Sequence, residues 1–177
     1  MRHVVTIYLL TALAGFSACH AANAATQTRH AQHHTANMCQ LSKPTTNATA
    51  WPRATGFLNE GSTTIYVICG YPSPEGGYGT ATEQRIILMT LDGQPHSIDC
   101  TGVAGMWPGS NDTVFVTKNI TTSHSAELGG DFLVFLPEDF NLPQGSTLPA
   151  SFSITCKLPA QTGINDGYTT STTNVGN

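Results

Sequence analysis

The chain has 177 residues, the length of one domain with a small appendage. Charged residues make up 10% and the apolar set 40%, a balance too apolar and too weakly charged for a disordered chain. The formal charge is −4 and the 7 Lys and Arg are scattered, which argues against a nucleic-acid partner held by phosphate neutralisation.

Residues 1–24 read as a removable signal peptide. Met1-Arg2-His3 gives a basic start, and residues 4–16 form an apolar run too short to span a bilayer. Ala22-Asn23-Ala24 fits the A-x-A pattern, so cleavage is expected after Ala24. Phe16-Ser17-Ala18-Cys19 offers an alternative end, a lipid anchor at Cys19. Phe16 stands where a lipoprotein signal usually has Leu, so Cys19 is expected to be discarded. No later segment approaches the roughly 18 apolar residues of a spanning helix, so the mature chain is not expected to be integral to a membrane. Residues 25–50 show no sustained period and are rich in Thr and His. They read as a flexible lead-in pinned at Cys39, with the domain proper spanning 51–177.

From Trp51 onward, short apolar runs alternate with turn clusters. A weak strand is expected over 53–58 and a strong one over 63–69. Residues 71–79, with Pro72, Pro74 and three glycines, form a loop. Asp92-Gly93 between 84–91 and 94–101 predicts a hairpin with a type I′ turn. Further strands are expected over 112–119, 132–136 and 151–158. A polar edge strand is expected over 168–172. Residues 137–149 form a long connection holding three prolines. Seven or eight strands at this spacing predict an all-β fold, a single antiparallel two-sheet sandwich, Ig-like or jelly-roll-like. A closed barrel is the alternative.

Setting Cys19 aside leaves Cys39, Cys69, Cys100 and Cys156, an even set that implies two disulfides in an oxidising, secreted or periplasmic compartment. Strand alternation puts Cys69 with Ile65 and Val67, Cys100 with Ile98, and Cys156 with Phe152 and Ile154, as staples on core faces. Of three connectivities, spacing alone selects none; Cys39–Cys69 with Cys100–Cys156 is the one we favour. The segments IYVICG at 65–70, SIDCTG at 97–102 and SITCKLP at 153–159 resemble the cysteine-bearing strands of small, uncharacterised, exported bacterial β-sandwich proteins. The resemblance implies a fold and a compartment, and no catalytic residue or ligand.

Candidate chemistry is sparse. His30, His33 and His34 have the ring chemistry to bind zinc, copper or nickel, but a lead-in lacks the rigid backbone a site requires, so a polar tether is expected and no metal site. No cofactor motif is present. Of the histidines beyond Cys39, His124 lacks a nucleophile motif and His96 shares a face with Ile98, as a structural residue would. Glu138-Asp139 sits on a Pro-rich loop, where carboxylates are usually solvated. The binding candidates are aromatic: Tyr71 and Tyr78 bracket the Gly/Pro-rich loop, and Trp107 lies in Gly105-Met106-Trp107-Pro108-Gly109. Rings on rigid loops stack on sugars or anchor proteins, although Trp51 and Trp107 would equally serve to cap the core. The expectation is an exported, non-catalytic binding or structural module with a glycan or protein partner. The alternative is a secreted hydrolase or hydrolase inhibitor acting through the 71–79 or 137–149 loop.

Overall fold

The computed structural model describes residues 25–43, 49–72, 80–105 and 113–175. Within them the strands are β1 (Thr26–His34), β2 (Cys39–Leu41), β3 (Ala50–Arg53), β4 (Gly56–Asn59), β5 (Ile65–Tyr71), β6 (Ala81–Thr90), β7 (His96–Ala104), β8 (Val114–Thr122), β9 (Asp131–Phe135), β10 (Phe152–Leu158) and β11 (Thr162–Asn174). They form two antiparallel sheets. Sheet A runs β3-β4-β11-β6-β9, with β1 also paired to β11, and sheet B runs β2-β5-β10-β7-β8. Neither closes into a barrel among the described residues. The expected two-sheet sandwich is the fold.

The core is made by alternate residues of the two facing sheets. Ile65, Val67, Ile98 and Ile154 come from sheet B, and Phe57, Ile86, Leu88, Leu133 and Ile164 from sheet A, all buried. Phe135 of β9, Phe152 of β10 and Phe140 meet across the sandwich with ring centroids 5.5–6.2 Å apart, a spacing at which tilted aromatic pairs attract. Residues 137–149 are therefore not a free loop, because Phe140 and Leu148 are buried within this core.

Both disulfides form with the favoured pairing, Cys39–Cys69 and Cys100–Cys156. Each joins residues directly opposite each other on neighbouring strands of sheet B, with Cα atoms 4.0 Å apart. They lie on the core face, as alternation predicts, but staple strand to strand within sheet B, so the two sheets are joined by core packing and by side-chain hydrogen bonds such as Lys118 Nζ to the Val134 carbonyl and Asn59 Nδ2 to the Leu158 carbonyl. They fit an oxidising environment.

The expected hairpin about Asp92-Gly93 does not form. β6 and β7 are consecutive but lie in different sheets. A type I′ turn needs positive φ at both central residues; Gly93 has φ +68°, and Asp92 does not share it. Pro95 also lacks the N–H that a ladder starting at Gln94 would need. The connection is held by side chains instead: Gly93 N donates to Thr90 Oγ1, Gln94 N to Asp92 Oδ1, and His96 Nε2 lies 2.9 Å from Asp92. The expected single strand at 53–58 is likewise two, β3 and β4, turning before Gly56. That glycine has φ +138°, and a Cβ there would sit 2.3 Å from the Ile164 carbonyl oxygen.

The largest departure concerns β11. Its polar sequence suggested a short edge strand over 168–172, whereas it runs for 13 residues and is paired on both sides. A β-bulge lies between Ile164 and Gly167, where an extra residue of β11 faces β6. The insertion reverses the alternation: Thr162 and Ile164 are buried before it, and Gly167, Thr169, Ser171 and Thr173 after it. The second departure follows from the first. Residues 25–43, expected to be a flexible lead-in, form β1, a helical turn α1 (Thr35–Met38) and β2, with β1 in unbroken register along β11. The domain thus includes residues well before Trp51. Residues 1–24, over which a signal peptide is expected, lie with Cys19 outside the described residues.

Loss of the Cys100–Cys156 bridge in the Cys100→Ala/Cys156→Ala variant should lower stability by about 4 kcal/mol, the chain-entropy value for a loop of this length. The two cysteines are 56 residues apart, against 30 for the other pair. Urea unfolding of each double variant should show the larger loss for the longer loop.

Candidate functional site

Strands β1, β11, β6 and β9 lie side by side, so residues far apart in sequence share one solvent-facing surface. Register places Thr170 opposite both His30 and Glu83, Arg85 opposite Tyr168, and Ile87 opposite Phe132. Alternation then brings His30, Thr170, Tyr168, Arg85 and Phe132 to the outer face, around a shallow groove of about 290 Å³. Phe132 is 51% exposed. Tyr168 and Phe132 stand on strands two positions apart, roughly 10 Å, with Arg85 on the strand between them.

A hydrogen-bond chain organises this face. The Thr170 hydroxyl donates to Glu83 Oε1 at 3.3 Å, so its oxygen accepts from His30 Nδ1 at 3.2 Å. In the neutral imidazole this selects the Nδ1–H tautomer, with Nε2 as an acceptor. Glu83 in turn receives both Nε and Nη2 of Arg85. The hydrogen bond to Glu83, outweighing the opposing effect of burial, raises the guanidinium pKa above its ordinary value. Cation and carboxylate cancel within this pair, and the groove offers both hydrogen-bond donors and acceptors.

A second chain runs through the same strands on the core side. Thr169 Oγ1 donates to Gln84 Oε1 at 2.6 Å and accepts from His33 Nε2 at 2.9 Å, while Gln84 Nε2 donates to the Tyr168 carbonyl at 2.9 Å. Gln84 and Thr169 are each 1% exposed, so their polar atoms depend on these bonds. His33 also meets the Tyr71 ring edge-on, with centroids 5.8 Å apart. This inner chain secures β1 and thereby holds His30 over the groove.

Tyr71, expected on the rim of a binding loop, is 4% exposed, and its ring packs on Gly167. Burial, with the nearby Asp166 charge, pushes its phenol well above the usual range. It is a core residue and presents no stacking surface. Tyr78 and Trp107 lie outside the described residues. Trp51, expected to cap the core, is 54% exposed on β3. The three histidines of β1 have separate partners, since His34 Nε2 bonds the Ala54 carbonyl while His30 and His33 take opposite faces. Among the described residues no three His, Cys, Asp or Glu side chains are grouped to hold a metal ion, and no helix is long and apolar enough to cross a membrane. His124 and Asp131 pair at 2.8 Å. Asp139, expected to be solvated, instead accepts from Lys118 Nζ at 2.6 Å and Leu136 N at 2.7 Å.

Sequence reasoning missed Arg85, Phe132, Tyr168 and Thr170. The apolar run around Phe132 carries no alternation to say which face it takes, and the pairing of Arg85 with Tyr168 and of Glu83 with Thr170 joins residues more than eighty positions apart. No protein-family model, curated protein or solved structure matches the chain.

Burial lowers the His33 pKa from 6.5. Above that value the imidazole is neutral in both folded and unfolded chains and its contribution to stability is complete. As pH falls below it, the unfolded chain binds the proton first and stability declines until the lower folded-state pKa is passed. Urea midpoints measured from about pH 7.5 to about pH 5 should fall less steeply in the His33→Gln variant than in the parent.

Proposed function

We propose that this protein is an exported, non-catalytic binding module whose ligand is a neutral glycan, held on the solvent face of sheet A. The observation that carries this reading is the groove in which Tyr168 and Phe132 flank Arg85, whose guanidinium is paired to Glu83 beside it. Sugar rings present C–H faces that stack on aromatic planes, and hydroxyls that both donate and accept hydrogen bonds. The Arg85 guanidinium and the Thr170 and His30 side chains that line the groove supply complementary partners on a rigid sheet, so little ordering opposes binding. Internal neutralisation of Arg85 by Glu83 favours uncharged sugars over phosphates or acidic sugars. Glu83 is already committed to Arg85 and Thr170, which leaves it poorly placed to act as a general acid or base. The signal-like sequence at residues 1–24 and the two disulfides support an extracytoplasmic site of action.

Titration with a panel of neutral and acidic oligosaccharides tests this. A neutral oligosaccharide should bind, and Phe132→Ala and Tyr168→Ala should each weaken it by about tenfold, the scale of one aromatic stacking contact. Undiminished binding in both variants, a preference for acidic glycans, or turnover of the bound sugar would overturn the proposal.

A further inference from the structure

Exposed sheet edges invite pairing with other chains, and β proteins ordinarily shorten, charge or interrupt them. Four edge strands here are treated in this way. β2 has three residues, β3 has four and contains Pro52, and β9 has five and is followed closely by Pro137. β8 is longer but turns Lys118 inward, over the Phe135 ring and onto Asp139. β1 differs from all of them. It has nine residues and no proline, carries one charged side chain, Arg29, keeps unbroken register with β11, and has no strand on its far side among the described residues.

We propose that the free edge of β1 is the docking site for a second copy of this chain, β1 pairing antiparallel with β1 about a two-fold axis so that sheet A continues through the dimer. The strand contains none of the chain's 11 Asp and Glu. Two molecules of net charge −4 therefore meet at this edge without opposing carboxylates. Its exposed side chains are chiefly Thr, Gln and His, which pair across strands with their own kind through hydrogen bonds. The strand has one apolar residue, Ala31, and so offers no row of alternate apolar side chains of the sort by which an edge selects a foreign peptide. An isologous junction uses both free edges at once. With the other edges blunted, assembly stops at two. A two-fold axis perpendicular to the sheet leaves both grooves facing the same way, so a surface displaying many glycans would engage them together. That last consequence alone rests on the glycan reading; the dimer does not.

Sedimentation velocity on the purified protein over a wide dilution series tests the pairing. A reversible monomer–dimer equilibrium is expected, weakened by about tenfold or more in Gln27→Lys and in Thr28→Lys, because a lysine on the edge opposes strand addition. Circular dichroism should show both variants folded, and if one is not, the other decides. A chain that stays monomeric at every concentration, whether or not it captures an extended peptide, would overturn the proposal. So would a dimer indifferent to the folded lysine variants, or an open-ended polymer.

Discussion

The bulge in β11 is the constraint on which the rest of the molecule depends. One extra residue there leaves backbone carbonyls without ladder partners, and each must be satisfied or reach solvent. Thr35 Oγ1 donates to both the Ile164 and Asn165 carbonyls, at 3.0 and 2.7 Å. Gly56 carries no side chain and so lets the β3–β4 turn approach Ile164. Gln32 Nε2 holds Asp166 at 2.8 Å, and the Tyr71 ring covers Gly167. Elements from four parts of the chain thus converge on four consecutive residues, Ile164 to Gly167.

The bulge also decides which surface each side chain reaches. Without the reversal of alternation, Thr169 would face solvent, and Tyr168 and Thr170 would be driven into the core. With it, three adjacent strands carry two hydrogen-bond chains, one on each face. The buried chain through His33, Thr169 and Gln84 fixes β1. The exposed chain through His30, Thr170, Glu83 and Arg85 is fixed in consequence. Stability and the candidate recognition surface are therefore coupled through the thickness of a single sheet.

Much of sheet B was legible in the sequence. The clean alternation of Ile65, Val67 and Cys69, and of Phe152, Ile154 and Cys156, reports a strand with one buried face, and it placed the cysteines correctly. Sheet A was harder for identifiable reasons. Asn165-Asp166-Gly167 has the composition of a turn, but here it is a bulge inside a continuous strand. The Thr and Ser residues of β11 look solvent-facing, yet Thr169 and Ser171 are 1% and 2% exposed. β1 has no apolar stripe, because it contributes backbone pairing and polar side chains and almost nothing to the hydrophobic core. The groove could not be read at all, since it exists only where β1, β6, β9 and β11 become neighbours. Aromatic residues in loops drew attention for their composition, while the exposed Phe132 lay within an apolar run that read as core.

The central claim is that residues 26–34 belong to the fold and are held through β11 by the bulge and the buried polar chain. Amide hydrogen exchange resolved by residue measures this most directly. Those amides of β1 that bond to β11 should exchange slowly, together with their partners in the 167–174 arm of β11. Exchange of the whole 26–34 segment at the rate of an unstructured chain, while the remainder of sheet A stays protected, would contradict it.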